Sequence, residues 1–179
     1  MTDDAETELS ILSAEEAPAW LDELAALLHA CVQAGASVNF VLPFAPADSL
    51  AFWRSKVMPA LRAGGRVLWI ARQGRRVVGS VQLHHDTPPN QPHRAEVTKL
   101  LVHPQFRRRG IARALMGELE REARRLGRSL ITLDTRTGDS AEPLYASLGY
   151  RTVGIIPGYC RDTIEDRLDP TTIMYKVLD

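Results

Sequence analysis

Between the apolar run Lys99-Leu100-Leu101-Val102 and a long amphipathic stretch lies His103-Pro104-Gln105-Phe106-Arg107-Arg108-Arg109-Gly110-Ile111-Ala112. Strand, glycine turn and helix in immediate succession point to an α/β domain. Arg107, Gly110 and Ala112 form Arg-x-x-Gly-x-Ala, which leaves several backbone N–H groups free at a helix start while three guanidinium groups add positive charge. Anions collect at such places, so the turn reads as a pyrophosphate cradle. The motif alone fits several phosphate ligands. A Walker-type loop requires Gly-Lys-Ser/Thr at the helix start, and a dinucleotide fold requires Gly-x-Gly-x-x-Gly early in a repeated βαβ unit. Neither occurs. The plainer alternative is that the arginines solvate a surface turn and Gly110 relieves a tight backbone.

Composition narrows the choice. A chain of 179 residues and 19.9 kDa fits one domain over 1–179 and can bury a core without staples. Lys plus Arg equals Asp plus Glu at 22 each, so no global basic field implies bulk nucleic-acid binding. The charge is local: residues 107–128 hold eight Arg against three Glu, while residues 1–23 are acidic. Glu118, Glu120 and Glu122 dilute the basic helix face and no aromatic residues interleave, which argues against a nucleic-acid partner. Cys31 and Cys160 support neither a disulfide framework nor a Cys-rich metal site, and a reducing cytoplasm is expected. The acidic N-terminus lacks an apolar core for a secretory signal, and no apolar run reaches membrane-spanning length.

Periodicity predicts seven strands and four helices. The strands are 8–12, 66–72, 76–84, 95–102, 130–135, 151–156 and 172–177, with Gln73-Gly74-Arg75 turning an antiparallel hairpin. Ser13 and Glu16 have capping-box spacing before a helix with Trp20, Leu21, Leu24, Leu27 and Leu28 inward, ending near Gly35. Asp48 is expected to cap a second helix that Gly64-Gly65 stops. The third helix runs over 109–126 and the fourth over 140–148, with Pro143 tolerated in its first turn and Gly149 closing it. The almost wholly apolar 130–135 predicts a strand buried on both faces.

Leu101-Val102-His103-Pro104, Arg107-x-x-Gly110-Ile111-Ala112 and Leu144-Tyr145-Ala146-Ser147-Leu148-Gly149-Tyr150 resemble the GNAT N-acetyltransferase superfamily. His93-Arg94-Ala95-Glu96-Val97, Leu133-Asp134-Thr135, Ala141-Glu142 and Ile156-Pro157-Gly158-Tyr159-Cys160 are similar to its tabtoxin-resistance branch. The resemblance covers nearly the whole chain. It implies an α/β fold with a central, mostly antiparallel sheet of about seven strands, splayed at the cofactor site and flanked by about four helices. Acetyl-CoA would lie between the splayed strands at 100–102 and 130–134, its pantetheine pairing with backbone like an added strand. Backbone amides of Arg108, Arg109, Gly110, Ile111, Ala112 and Arg113 would meet its pyrophosphate. Many members carry Asn seven residues before the tyrosine of Leu-Tyr. Gly138 stands there, and Asp139 and Ser140 are expected to cap the helix and touch the cofactor instead.

Acetyl transfer to an amine requires a neutral nucleophile, a polarised carbonyl and a proton for the departing thiolate. A backbone N–H near Leu101 would stabilise the oxyanion. Tyr145 would donate its phenolic proton to sulfur, although its helical spacing also fits a core aromatic. Glu96 and Asp134 stand where the family fold has its central strands, and either would be the base, directly or through a water. Without the resemblance, Glu96 is an exposed carboxylate paired with Arg94 or Lys99, and Asp134 bonds the Thr135-Arg136 turn. Adjacent His84 and His85 point to opposite faces, so no metal is expected even with His93 nearby. Cys160 reads as a buried thiol, and Trp20, Phe52 and Trp53 as core anchors. Phe40 and Phe44 line the acceptor pocket or simply pack. The expected function is acetyl transfer from acetyl-CoA to a small primary amine, amino-acid-like or toxin-like, by a monomer or homodimer. The alternatives are a non-catalytic acyl-CoA sensor and a protein or peptide N-acetyltransferase.

Overall fold

The strands follow the hydrophobic alternation: β1 (Glu8–Leu12), β2 (Arg66–Gln73), β3 (Arg76–His84), β4 (Arg94–Val102), β5 (Leu130–Arg136), β6 (Arg151–Arg161) and β7 (Leu168–Val177). The structure is a computed structural model describing residues 6–179; residues 1–5 of the acidic N-terminal stretch lie outside the described residues. One sheet results, ordered β1-β2-β3-β4-β5-β7-β6 and antiparallel at every seam except β4 with β5. The helices are α1 (Leu21–Gln33), α2 (Pro46–Phe52), α3 (Met58–Arg62), α4 (Ile111–Arg125) and α5 (Ala141–Ser147). The π-turn Trp53–Val57 joins α2 to α3 without a break. The mixed seven-stranded fold expected from the sequence is therefore present.

Period-2 alternation sends neighbouring side chains to two separate cores. Leu68 and Ile70 of β2 pack with Leu24, Leu28 and Trp53 on one face of the sheet. Trp69 and Ala71 pack with Leu115, Met116 and Leu119 of α4 on the other. Contact between α4 and β3 is close at Gly79, where an added Cβ would stand 2.9 Å from Ile111 and 3.1 Å from Leu115. Glycine here fixes how near the first turn of α4 lies to the sheet.

Several local readings need correction. Ser13 and Glu16 do form the reciprocal box, each backbone N–H donating to the other's side chain at 3.2 Å. It opens the 3₁₀ turn Ala17–Trp20, however, and α1 begins only at Leu21. Asp48 is not the cap of α2; Ala45 holds that place, and the Asp48 carboxylate accepts its N–H at 2.8 Å, with Pro46 starting the helix. Helix α4 starts at Ile111 because Arg108 (φ 65) and Gly110 (φ 80) are left-handed. Strand β5 buries Ile131 and Leu133 only, leaving Asp134 exposed on the face towards a cleft. β6 runs to Arg161: its pairing jumps from Ile156↔Thr171 to Cys160↔Asp169, an irregularity that absorbs Pro157 and Gly158 without ending the strand.

Candidate active site

The two central strands pair in parallel only through Arg94↔Leu130, Ala95↔Ile131 and Glu96↔Thr132. Beyond Glu96 they part, for a reason visible in β4. Thr98 pairs with Gln82 and Leu101 with Ser80, so Lys99 and Leu100 share the place opposite Val81, and Lys99 has φ 52. Such a bulge bends its strand and increases twist. β5 stays paired with β7 along its whole length, so β4 diverges from it and a cavity of about 550 Å³ opens between them. Leu100, Leu101 and Val102 line one wall, on the side where β4 has no strand partner.

At one end of the cavity lies the Arg-rich turn. Gly110 is the N-cap of α4, and the N–H groups of Ile111, Ala112 and Arg113 in the first turn have no intrahelical acceptor. All four residues line the cavity together with Arg107 and Arg108. Arg109 does not; its guanidinium lies over the Phe106 ring at 5.0 Å, as does that of Arg76. Its side chain braces the turn through that ring contact. Arg107 Nε donates to the Val102 carbonyl at 3.5 Å, and Arg113 donates to Ser147 Oγ at 2.7 Å. Burial pushes the neighbouring Cys31 thiol up to about 11, against the pull of the Arg107 charge. That thiol stays protonated at neutral pH.

The other end gathers ionisable groups from three elements. Tyr145 of α5 is 5% exposed, packs edge-on to Tyr150 at 5.8 Å and lines the cavity. Burial first, then the Asp134 and Asp139 charges, raise its phenol well above the ordinary tyrosine value, so it remains a proton donor. Glu96 lines the wall with its side chain 39% exposed and Arg94 at 3.9 Å, the partner foreseen for it. Asp134 accepts a hydrogen bond from Thr171 Oγ1 at 3.3 Å, not from the Thr135-Arg136 turn as expected. Asp139 and Ser140 line the cavity at the start of α5. Asp139 accepts from Ser140 N at 2.7 Å and from Arg136 at 3.2 Å, while Gly138 N–H donates to Glu142 at 2.7 Å.

Sequence reasoning missed Lys99 as a lining residue and the loop from α1, Ala34 to Asn39, that closes the cavity on the far side. Arg136 ties that loop down by donating to Gly35 O at 3.3 Å and to Asp162 at 2.8 Å. Neither is periodic nor motif-like, and the bulge that turns Lys99 inward carries no glycine to announce it. Phe40 and Phe44 do not line this cavity; their rings pack on each other in a tilted arrangement, centroids 4.7 Å apart, and Phe44 is buried. Cys160 is only half-buried, its Sγ 3.9 Å from Ser37 Oγ. Among the described residues no group of three His, Cys, Asp or Glu could hold a metal ion, and no helix is long and apolar enough to cross a membrane.

This geometry has relatives. A sequence profile of the Acetyltransferase (GNAT) family matches residues 22–150. N-acetyltransferase 8 of Homo sapiens is 38% identical over 92 residues, which are 50% of this chain and 40% of that protein. The match thus spans less than half of the human relative's length. An uncharacterized N-acetyltransferase of the hisH-hisA intergenic region of Azospirillum brasilense is 32% identical over 114 residues, 63% of this chain and 66% of that one. Two solved structures share the fold. An N-acetyltransferase from Staphylococcus aureus Mu50 superposes with a TM-score of 0.78 at 15% identity, covering 97% of this chain and 99% of that one. The yncA protein of Salmonella typhimurium, solved with its cofactor acetyl-CoA, gives 0.77 at 19% identity, with 97% and 95% covered.

Proposed function

Since the chain belongs to the Acetyltransferase (GNAT) family, we propose that it is an N-acetyltransferase, one domain over 1–179, that moves the acetyl group of acetyl-CoA to a primary amine of a small molecule. One observation carries the reading: a single cavity runs from an unpaired helix N-terminus with two arginines to a cluster of Tyr145, Glu96 and Asp134. An anion grip and a proton-transfer group joined by a cleft suit a long phosphorylated thioester.

The residues present fit that donor. The free N–H groups of Ile111, Ala112 and Arg113 are fixed donors for a pyrophosphate, and Arg107 and Arg108 add charge beside them. Leu100, Leu101 and Val102 offer unpaired strand backbone to a pantetheine arm, and an N–H near Leu101 stabilises the oxyanion. Asp139 and Ser140 flank the donor from the start of α5.

Glu96 or Asp134, directly or through water, takes the proton from the acceptor ammonium, and the freed amine attacks the thioester carbon. The C–N bond forms, the C–S bond breaks, and the sulfur leaves as thiolate. Tyr145 hydrogen-bonds to that sulfur as its charge grows. A free thiol has pKa about 8.5 and this phenol is above 10, so complete proton transfer from tyrosine alone is uphill. Tyr145 therefore passes on a proton while regaining one from the reacting nitrogen. The likeness to the tabtoxin-resistance branch supports an amino-acid-like or toxin-like acceptor, and two unpaired cysteines suit a cytoplasmic setting. The enzyme works as monomer or homodimer.

The test is a thiol-release assay with acetyl-CoA across a panel of primary amines. Release that depends on both the amine and Tyr145 is expected. Acetyl-CoA binding without turnover of any amine would make the chain an acyl-CoA sensor instead.

A further inference from the structure

Lys99 is a charged lining residue of the cavity that the reaction above leaves without a task. Its Nζ lies 5.6 Å from the Phe52 centroid and 5.8 Å from that of Phe40, and the residue lines the cavity beside Glu96, Thr98 and Asp134. Its ammonium has no hydrogen-bond or ion-pair partner among the described residues, and the residue is half-buried. Two aromatic faces attract an ammonium but give it no hydrogen-bond acceptor. Behind it stands a second cation, Arg66, whose Nη1 donates to Gln82 at 2.8 Å and whose Nε has no partner. Withdrawing an ammonium partly from water without giving it an acceptor is costly, and the cost is recovered when an anion arrives.

The two signs of charge at this end are informative together. Glu96 and Asp134 attract a cationic amine; they have no use for a lysine and an arginine close by. An α-amino acid, with ammonium and carboxylate on one carbon, needs both signs at one place. Building on the transferase reading, we propose that Lys99 binds the carboxylate of the acceptor, so that the enzyme selects small molecules bearing a free carboxylate next to the amine over simple amines and protein lysines. The phenylalanine rings flank its ammonium, and the bulge in β4 places the residue in the cavity wall.

The experiment compares kcat/KM for amino acids, their carboxamides and plain alkylamines at saturating acetyl-CoA. For the wild type, the free carboxylate is expected to improve kcat/KM at least about tenfold over the amide, chiefly through KM, as a charge-assisted bond warrants. Lys99→Met should collapse that ratio towards one, and Lys99→Arg should keep most of it. If Lys99→Met does not fold, Lys99→Gln and the wild-type ratio decide. A wild type that acetylates amines without regard to the carboxylate overturns this proposal alone, as does an unchanged ratio in Lys99→Met. A wild type that turns over no amine overturns the transferase reading and this one with it. Peptide mass mapping after incubation with acetyl-CoA alone adds a further check. An acetyl group on Lys99 would make it an acceptor and also overturn its role as an anchor.

Discussion

Tyr145 reaches the cavity with a hydroxyl that burial keeps protonated, so its chemistry can be removed without changing its packing. Tyr145→Phe is expected to lower kcat by about 10²–10³-fold with little change in acetyl-CoA affinity, read from steady-state rates and direct binding. Equal losses in both would mark a structural role. Lys99 offers a test of a different kind. Burial brings its ammonium from 10.5 down to about 8, opposed by Asp134 and assisted by Arg66. Between those values the unfolded chain binds the proton more tightly, so this lysine lowers stability below pH 8, and the loss fades as pH rises towards 10.5. Lys99→Met is therefore expected to be more stable at pH 7 by about 1–3 kcal/mol, some of the gain being cancelled by the lost contact with Phe40 and Phe52. Denaturant melts at pH 7 and pH 10 would show the difference shrinking. Gly110, at φ 80, precedes the free donors of α4. Gly110→Ala should cost about 1–2 kcal/mol of stability and weaken acetyl-CoA binding, measured by chemical denaturation and calorimetry.

At the scale of elements, the cleft is made by a disagreement between strands. β4 follows β3 through a bulge, β5 follows β7 without one, and the three paired residues 94–96 are the hinge of the V. The sequence announces β4, β5 and α4 by periodicity, and the turn by its glycine and arginines. It does not announce the bulge, because Thr98-Lys99-Leu100 reads as ordinary strand and no residue there demands a positive φ. For the same reason Glu96 and Asp134 were legible as strand-end carboxylates, and Lys99 was not legible as a lining residue. The length of β6 was hidden by Pro157 and Gly158, which usually end strands. Helix α4 must also sit close to the sheet for its first turn to face the cleft. Gly79→Val should push Ile111 and Leu115 outward, lowering acetyl-CoA affinity more than it changes the affinity for the amine, a split visible in the two KM values.

For the whole molecule, two cores lie on opposite faces of one sheet, so the free helix start of α4 and the side chains of Tyr145, Glu96 and Asp134 on α5, β4 and β5 are set by the fold and not by any one loop. That architecture was readable from the order of strands and helices, since period 2 and period 3.6 separate cleanly along this chain. The end that gathers Glu96, Lys99 and Asp134 was less readable, because the cavity there is assembled from the α1 loop, the β4 bulge and the β5 terminus, segments far apart in sequence. The proposed function requires the cleft to hold acetyl-CoA by its pyrophosphate at the start of α4. Calorimetric titration with acetyl-CoA and, in parallel, with acetylpantetheine, which lacks the pyrophosphate, tests it most directly. Acetyl-CoA is expected to bind in the micromolar to submillimolar range, on the order of ordinary enzyme substrates, with acetylpantetheine weaker by tenfold or more. Equal affinity for the two, or no heat with acetyl-CoA, would contradict it.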